Sequence, residues 1–356
     1  VIIIGGGVLG VSLAYHLSQR SVRSVLLEKE PSYGHHASGR NAGMMRQLYR
    51  NPQLTEWARR SIRSWPDKIR RKAFTQTGST ILGRKPCEHH PELFRETAAI
   101  VRGKNIGGVL TSSDGLLDPH PLLSGLLAES RSYCSEHYRH EVISLSKTSA
   151  DWTVECRNGD KFTAPWVVNA TGAWINKILK NNYPQLSLKT APFARHLFVV
   201  DGWKTNKYLS EEEGGYFWDE TGGWYMRRWT PTARLFSVCD MQQMTPENYQ
   251  PDEQLELTLA KLLCDLFPHE AQDLRIGSSW HCFRTYTADQ LPVWGKDTDC
   301  PGFFWLAAFG GYGMSTSFAA AEDAAEVIAA DRNILYSEFC PSRVRHELVD
   351  AASEET

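Results

Sequence analysis

The chain opens V-I-I-I-G-G-G-V-L-G, residues Val1 to Gly10, and returns at Ser24 to Glu30 as S-V-L-L-E-K-E. Four β-branched residues run straight into glycines, and Gly5, Gly7 and Gly10 keep the G-x-G-x-x-G spacing. Helical spacing then starts at Val8 and Leu9 and continues to about Arg20. The pattern predicts a strand, a tight turn and a helix N-terminus. Gly5 allows the turn, Gly7 lets the backbone approach a pyrophosphate, and Gly10 lets helix and strand pack closely. The phosphates would face unpaired N–H groups at the positive end of the helix. Glu28, eighteen residues beyond Gly10, ends the second apolar run, where a carboxylate can accept both hydroxyls of an adenosine ribose, and Lys29 follows it. A dinucleotide is expected here; this motif alone leaves FAD and NAD open.

Three further stretches are built like the first. The loop from Pro31 to Gly43, continuing into Met44, concentrates small and polar residues. Ser38, Arg40, Asn41, Ala42 and Gly43 combine close backbone approach with heads suited to a phosphate and a heterocycle; a helix is expected beyond it. His35 and His36 in the same loop have no partners at metal-ligand spacing. A short apolar strand, Trp166 to Asn169, turns through Ala170, Thr171, Gly172, Ala173 and Trp174 into an expected helix. A third strand, Phe303 to Ala308, meets Gly310, Gly311, Tyr312, Gly313 and Met314, and an alanine-rich helix runs on to about Asp331. The N-terminus of that helix suits the pyrimidine end of a flavin, where negative charge develops on reduction. Together these crossings favour FAD over NAD.

Other elements follow from periodicity and caps. Helical spacing through Leu54, Trp57, Ile62 and Trp65 stops at Pro66, and strand character appears between Ala73 and Leu82. A helix is expected from Pro91 to Lys104. Asp118 and Pro119 begin another, read as helical from Leu122 to Tyr138. Alternating strands follow, with a hairpin signal at Asn158-Gly159. From Leu186 to Phe283 strands and aromatics dominate, including a hairpin turning at Thr221 to Gly223, and a helix is expected from Glu253 to Phe267.

Composition narrows the class. The 356 residues carry 39 basic and 41 acidic side chains, so no basic excess points to nucleic acid. No apolar run reaches the roughly twenty residues of a membrane span. Eight cysteines stand singly with no C-x-x-C pair, which predicts reduced thiols, a cytoplasmic setting and no metal site. Twelve tryptophans suit the flat apolar walls of a flavin pocket. The chain begins inside a strand, so residues are expected to precede it.

In this order the blocks I-I-I-G-G-G-V-L-G with Glu28, A-S-G-R-N-A-G-M, V-V-N-A-T-G-A-W and A-A-F-G-G-Y-G-M-S-T-S resemble the FAD-dependent D-amino-acid oxidase superfamily over nearly the whole chain. The look is nearest to D-amino-acid and D-arginine dehydrogenases, with glycine and sarcosine oxidases alongside. The resemblance implies an α/β fold: a discontinuous Rossmann-like FAD-binding domain (1–72, 118–180 and 284–356) and an antiparallel-sheet substrate domain (73–117 and 181–283). It places Val142 by the adenine, Ser38 to Met44 along the pyrophosphate and isoalloxazine, and Gly310 to Met314 at the flavin's far edge. For the substrate, it matches Arg284 to the arginine that clamps an amino acid's carboxylate and Tyr49 to an active-site tyrosine. It matches Arg46 to the carboxylate arginine of sarcosine oxidases and Arg195 to a substrate-side arginine of D-arginine dehydrogenases. Tyr225, on the hairpin, is a second hydroxyl for the carboxylate; of Arg227 and Arg228 only one can face the cavity.

Three departures matter. Ser79 or Thr80 stands where D-arginine enzymes carry an acid, which argues against a strongly basic substrate. Cys282 falls where sarcosine oxidases attach flavin covalently, although a buried thiol is the simpler reading. No lysine lies between Leu235 and Gln243, where sarcosine oxidases place the lysine that activates oxygen, which favours a dehydrogenase. The expected reaction is oxidation of the C–N bond of a small amino acid, of D- or glycine type, by hydride transfer to flavin N5. Its imine product hydrolyses to an oxo acid, and the electrons pass to a quinone, an electron carrier or oxygen. An N-methyl amino acid, a 2-hydroxy acid, or a flavin-carrying subunit without catalysis are the rivals.

Overall fold

Ile2, Ile3 and Ile4 are all buried because both faces of their strand are covered. Ile3 packs into a helical layer, while Ile2 and Ile4 point the other way, the pattern of an interior parallel strand. The computed structural model describes residues 1–85, 90–101, 104–180, 182–204, 215–330, 332 and 334–345. Among them the α-helices are α1 (Val8–Gln19), α2 (Pro52–Ser64), α3 (Asp67–Ala73), α4 (Pro119–Ser130), α5 (Gln254–Leu266) and α6 (Gly313–Ala330).

Ile2–Ile4 lies within a six-stranded sheet of order Val293–Lys296, Phe303–Ala307, Val167–Asn169, Ile2–Ile4, Ser24–Glu28, Cys134–Tyr138. Every neighbouring pair is parallel except the first. From Ile2–Ile4 the chain crosses to Ser24–Glu28 on one side and later to Val167–Asn169 on the other. The carboxyl ends of these strands therefore flank a topological switch point, where α/β sheets bind ligands. Helices α1, α2, α4 and α6 supply the core on one face. A three-stranded antiparallel sheet, Val142–Lys147, Trp152–Cys156 and Lys161–Ala164, covers the other.

A second, nine-stranded sheet is almost wholly antiparallel. Its path runs Gln242–Gln243, Thr190–Asp201, Ala233–Ser237, Trp224–Arg228, Tyr216–Asp219, Ser79–Leu82, Lys104–Thr111, Arg95–Val101, and Arg275–Thr287 pairs with Thr190–Asp201. Alternation gives it two unlike faces. Phe198, Val200, Trp224 and Phe236 pack under α5. Leu197, Val199, Tyr225, Leu235 and Cys282 face the other way, against Ala42 and Met44 of the small-residue loop.

Local chemistry explains most boundaries. The Asn51 side chain accepts the Leu54 N–H at 3.0 Å with Pro52 opening α2, and Asp118 accepts the His120 N–H at 3.0 Å with Pro119 opening α4. Four helical readings are corrected. The stretch from Pro91 is a short 3-10 turn followed by strands Arg95–Val101 and Lys104–Thr111, because hairpin pairing overrides the helical propensity of its alanines. The helix expected from Leu122 to Tyr138 ends at Ser130, and Cys134–Tyr138 becomes the edge strand beside Ser24–Glu28. Beyond Gly43 the chain forms a two-residue strand, Met44–Met45, paired with Gly115–Leu117 rather than a helix. After Ala170 there are only 3-10 turns, Gly172–Trp174 and Lys177–Leu179.

One buried carboxylate joins these parts. Asp114 accepts Ser79 Oγ at 2.6 Å, Gln47 N at 2.9 Å, and Tyr216 Oη and Gln47 Nε2 at longer range. It thereby fixes the segment after Met45 against the antiparallel sheet. Burial pushes its pKa up to about 6, against the pull of those donors. The folded state therefore binds this proton more tightly than the unfolded chain. The resulting stabilisation is full below about pH 4 and is lost as pH rises through 6. Urea unfolding from pH 4 to 7 should show the stability of Asp114→Asn gaining on wild type by up to about 3 kcal/mol over that interval; parallel pH profiles would refute the assignment.

Candidate active site

The first glycine turn is set by contact distances. Gly5 holds φ at +110°, and a Cβ there would stand 2.5 Å from the Ala170 carbonyl oxygen. A Cβ at Gly10 would stand 2.0 Å from the Gly5 oxygen. Neither position admits a side chain. At Gly7 the one near atom is Ser38 Oγ, at 3.2 Å, so the approach to the N-terminus of α1 is left open.

Gly7 caps α1 without a side chain, and no acid lies in the helix's first turn. The missing acceptor comes from far along the chain: Ser38 Oγ accepts the Val8 N–H at 2.9 Å. Glu28 is buried and held by backbone, accepting Gly6 N at 2.7 Å and Glu30 N at 2.8 Å, one on each oxygen. Each oxygen keeps acceptor capacity for a ribose hydroxyl. Burial raises the Glu28 pKa, opposed by those two N–H groups.

An elongated cavity of about 230 Å³ runs past this turn. Gly5, Gly7, Val8, Leu9, Glu28 and Lys29 line it, and Gly10 stands behind as a packing residue. Lys29 lies over the Trp174 ring, 4.1 Å from its centroid. Val142 lines one stretch, beside His140 and Glu141; Ala170, Gly172 and Trp174 line the middle. Ser38 and Asn41 contribute from the loop, whereas Arg40, Ala42, Gly43 and Met44 are not brought to this wall. The Arg40 carbonyl accepts Trp280 Nε1 at 2.8 Å, the Ala42 carbonyl accepts Arg227 Nε, and Met44 packs with the sheet face that holds Tyr225. Gly310, Gly311, Gly313 and Met314 line the cavity beside Arg284 and Cys282. Sequence reasoning missed His36, Thr171, Lys177 and Thr285 as lining residues; Thr171 sits inside a motif already singled out, while Lys177 carries no sequence signal.

Arg284 is the feature that gives the site its chemistry. Among the described residues its guanidinium has no hydrogen-bond partner and no ion pair. A Cβ at Gly311 would stand 3.3 Å from its Nη1, so the glycine turn leads directly to the guanidinium. Burial opposes its charge, yet Tyr225, Tyr286 and the Cys282 and Cys239 thiols around it hold its pKa above the ordinary arginine range. The buried Tyr225 hydroxyl has no hydrogen-bond partner, and burial raises its pKa against the pull of Arg284 and Arg195. A bare guanidinium beside an orphaned hydroxyl has the donors to accept a carboxylate.

The other substrate-side residues fall around this pair. Arg195 shares the sheet face of Cys282, its register partner, and donates Nε to the Asp240 carbonyl at 2.7 Å. Arg46 lies between the rings of Tyr49 and Trp218, and Tyr49 meets Tyr312 edge-on, centroids 5.3 Å apart. Burial raises the Tyr312 pKa, and its hydroxyl feels Arg46 and Arg284 together. Of the hairpin pair, Arg227 is half-buried against the loop and Arg228 is exposed. Ser79, where an acid was sought, donates to Asp114. Tyr286 and Trp218 were missed; Trp218 was within reach, since it pairs with Tyr225 across the hairpin.

A parallel sheet with a glycine-turn cradle and a buried acid at the end of its second strand is the architecture of a dinucleotide-dependent oxidoreductase. A family model described as FAD dependent oxidoreductase, DAO, matches residues 1–327. The chain belongs to that family, and FAD is its cofactor. Mouse mitochondrial dimethylglycine dehydrogenase is 26% identical over 64% of this chain, which spans only 29% of that protein's length. The FAD-dependent oxidoreductase domain-containing protein 1 of Xenopus laevis is 24% identical, covering 92% of this chain and 78% of its own. Among solved structures, L-proline dehydrogenase from P. horikoshii superposes with a TM-score of 0.82 at 19% identity, covering 96% of each chain. Glycine oxidase from Geobacillus kaustophilus gives 0.78 at 19%, covering 97% and 98%. These structures share the fold.

The cradle makes a sharp prediction. Gly5→Ala should abolish FAD retention, read as loss of flavin absorbance relative to protein after gel filtration. Ser38→Ala should weaken FAD binding only about fivefold to thirtyfold, the size of one lost capping or phosphate hydrogen bond. A fully flavinated Gly5→Ala protein would contradict the steric reading.

Proposed function

We propose that this protein oxidises the C–N bond of a small amino acid, of D- or glycine type, to an imine that hydrolyses to an oxo acid. The observation that carries this reading is the unpaired Arg284 guanidinium beside the orphaned Tyr225 hydroxyl, at the end of the cavity where Gly310 to Gly313 turn into α6. Bound FAD supplies the two-electron acceptor for the substrate's Cα–H, and the residues that would hold it are those of the glycine turn, Glu28, Ser38 and the Gly310–Met314 block. Arg284 would take the substrate carboxylate through two N–H groups, and Tyr225 would donate a third hydrogen bond. This fixes the carboxylate and so orients the adjacent Cα. Tyr49, Tyr286 and Tyr312 wall the space and exclude water.

The same electrostatics choose the substrate's protonation state. Arg284, Arg195 and Arg46 make the neighbourhood positive, and burial among aromatic rings disfavours any ammonium. The amine therefore binds neutral, with its proton left in solvent, and no side-chain base is required. Electrons pass onward to a quinone, an electron carrier or oxygen. The lysine-free strand Ala233–Ser237 and the residues after it support a dehydrogenase. Among the described residues no helix is long and apolar enough to cross a membrane. The seven described cysteines are free thiols, the state expected of a reducing, cytoplasmic setting. A relative named for dimethylglycine supports an N-methyl amino acid as the second reading.

Anaerobic bleaching of the flavin by a panel of D-, L- and N-methyl amino acids and 2-hydroxy acids tests the class. Amines should bleach and hydroxy acids should not, and kcat/KM should rise with pH to a plateau as the substrate amine deprotonates. Arg284→Ala should lower kcat/KM about a hundredfold or more, and Arg284→Lys, lacking the planar fork, should recover only part of it. Unchanged turnover in Arg284→Ala, or no bleaching by any amine, would end this proposal.

A further inference from the structure

The site holds more positive charge than its own acids neutralise, and the excess sits at two places. Arg284 is one. The other lies across the aromatic wall, where the Arg46 guanidinium carbon stands 4.4 Å from the Tyr49 ring centroid and 4.5 Å from that of Trp218. Its nearest carboxylate, Glu220, is 3.8 Å from Nη1. Glu220 is already engaged through both oxygens by Arg84, which also donates to the Leu48 carbonyl at 2.6 Å. Arg46 Nη1 is buried and makes no hydrogen bond. Two guanidiniums, Arg46 and Arg84, thus share the carboxylate of Glu220, and Arg284 has no ion pair among the described residues. Asp114, the next buried acid, is enclosed by Gln47, Ser79 and Tyr216. Near Arg195, both oxygens of Asp240 serve His196, through its backbone N at 2.9 Å and its Nδ1 at 2.7 Å.

One carboxylate on Arg284 leaves Arg46 with its orphaned donor and with a carboxylate that it shares with Arg84. A ring over each face of a guanidinium stabilises the cation but leaves its in-plane N–H groups without acceptors. The two places are joined by ring contacts: Tyr49 beside Arg46 meets Tyr312 with centroids 5.3 Å apart, Trp218 beside Arg46 meets Tyr225 with centroids 5.9 Å apart, and Gly311, next to Tyr312, would put a Cβ 3.3 Å from Arg284 Nη1. We propose that the substrate carries a second carboxylate: Arg284 holds the α-carboxylate and Arg46 the distal one, with Trp218, Tyr225 and Tyr49 walling the carbons between. The substrate class is an amino acid with two acidic groups, on its side chain or on a nitrogen substituent. This rests on the amino-acid reading above and narrows it. Among the described residues the acids near this wall, Asp114 and Glu220, are tied to other partners, which agrees with exclusion of basic side chains.

The test uses acids that bind without turning over. The FAD-loaded protein is titrated with malonate, succinate and glutarate, and with acetate, propionate and butyrate as their one-carboxylate counterparts. Binding is followed by calorimetry and by perturbation of the flavin absorbance. At least one diacid should bind about tenfold or more tightly than its counterpart, the value of a charge-assisted contact to a buried guanidinium. In Arg46→Gln that advantage should fall toward one; in Arg46→Lys, which keeps the charge without the fork, part of it should survive. Equal binding of mono- and diacids by wild type overturns the proposal, as does a diacid preference that survives Arg46→Gln. Because the probes need no turnover, failure of every amine to bleach the flavin would count against the amino-acid reading and leave this result separately readable.

Discussion

No atom larger than hydrogen fits on the inner side of Gly5 or Gly10, and the arrangement of the parallel sheet follows from that constraint. The turn after Ile4 passes within contact of Ala170, so the first and third crossings of the sheet come together at one point. The helix α1 leaves from the same point, its backbone against Gly5. A methyl group at either glycine would push α1 away from the strand. With that motion the N-terminal N–H groups, the pyrophosphate approach and the Glu28 hook on Gly6 would all separate. The glycines act less as flexible links than as the closest contacts in a fixed joint.

Ser38 to Gly43 extends that joint toward the antiparallel sheet. On one side Ser38 caps α1 in place of the side chain that Gly7 lacks. On the other, Trp280 and Arg227 reach from the sheet to the carbonyls of Arg40 and Ala42. Within the loop, Asn41 donates to the Ser38 carbonyl at 2.6 Å and accepts the Gly43 N–H at 2.7 Å, a local turn that resists unfolding of the segment. The loop ties the phosphate end of the site to the face carrying Tyr225 and Arg284. Substitutions at Trp280 or Arg227 therefore act on the loop through its backbone carbonyls.

What was legible in the sequence follows the range of the interactions concerned. The glycine turn, the Asn51 and Asp118 caps and the hairpin at Thr221 to Gly223 depend on residues a few positions apart, and their chemistry was plain. The strands at Arg95–Val101 and Cys134–Tyr138 were read as helix because their fate is decided by partners at Lys104–Thr111 and Ser24–Glu28. Within the candidate site, Arg284 was singled out through the family motif and Tyr225 through its place on the hairpin. The absence of a counter-ion at Arg284 was invisible, since it depends on which acids the fold leaves elsewhere. Asp114 was missed for the same reason: nothing near it in sequence announces that Ser79, Gln47 and Tyr216 will converge on its carboxylate.

The two neighbouring acids show how the fold sets the sign of the site. Asp114 and Glu220 both lie close to the wall, and either one turned toward the substrate would favour an ammonium and weaken the grip on a carboxylate. Asp114 is instead surrounded by donors and partly neutralised by burial, its pKa near 6. Glu220 is drawn toward Arg84, whose own pKa burial lowers. Asp114 is matched to Ser79, Gln47 and Tyr216 and Glu220 chiefly to Arg84, so Arg284 and Arg46 keep less acid around them than their charge calls for. The positive character of this wall depends as much on where the acids are tied as on where the arginines lie.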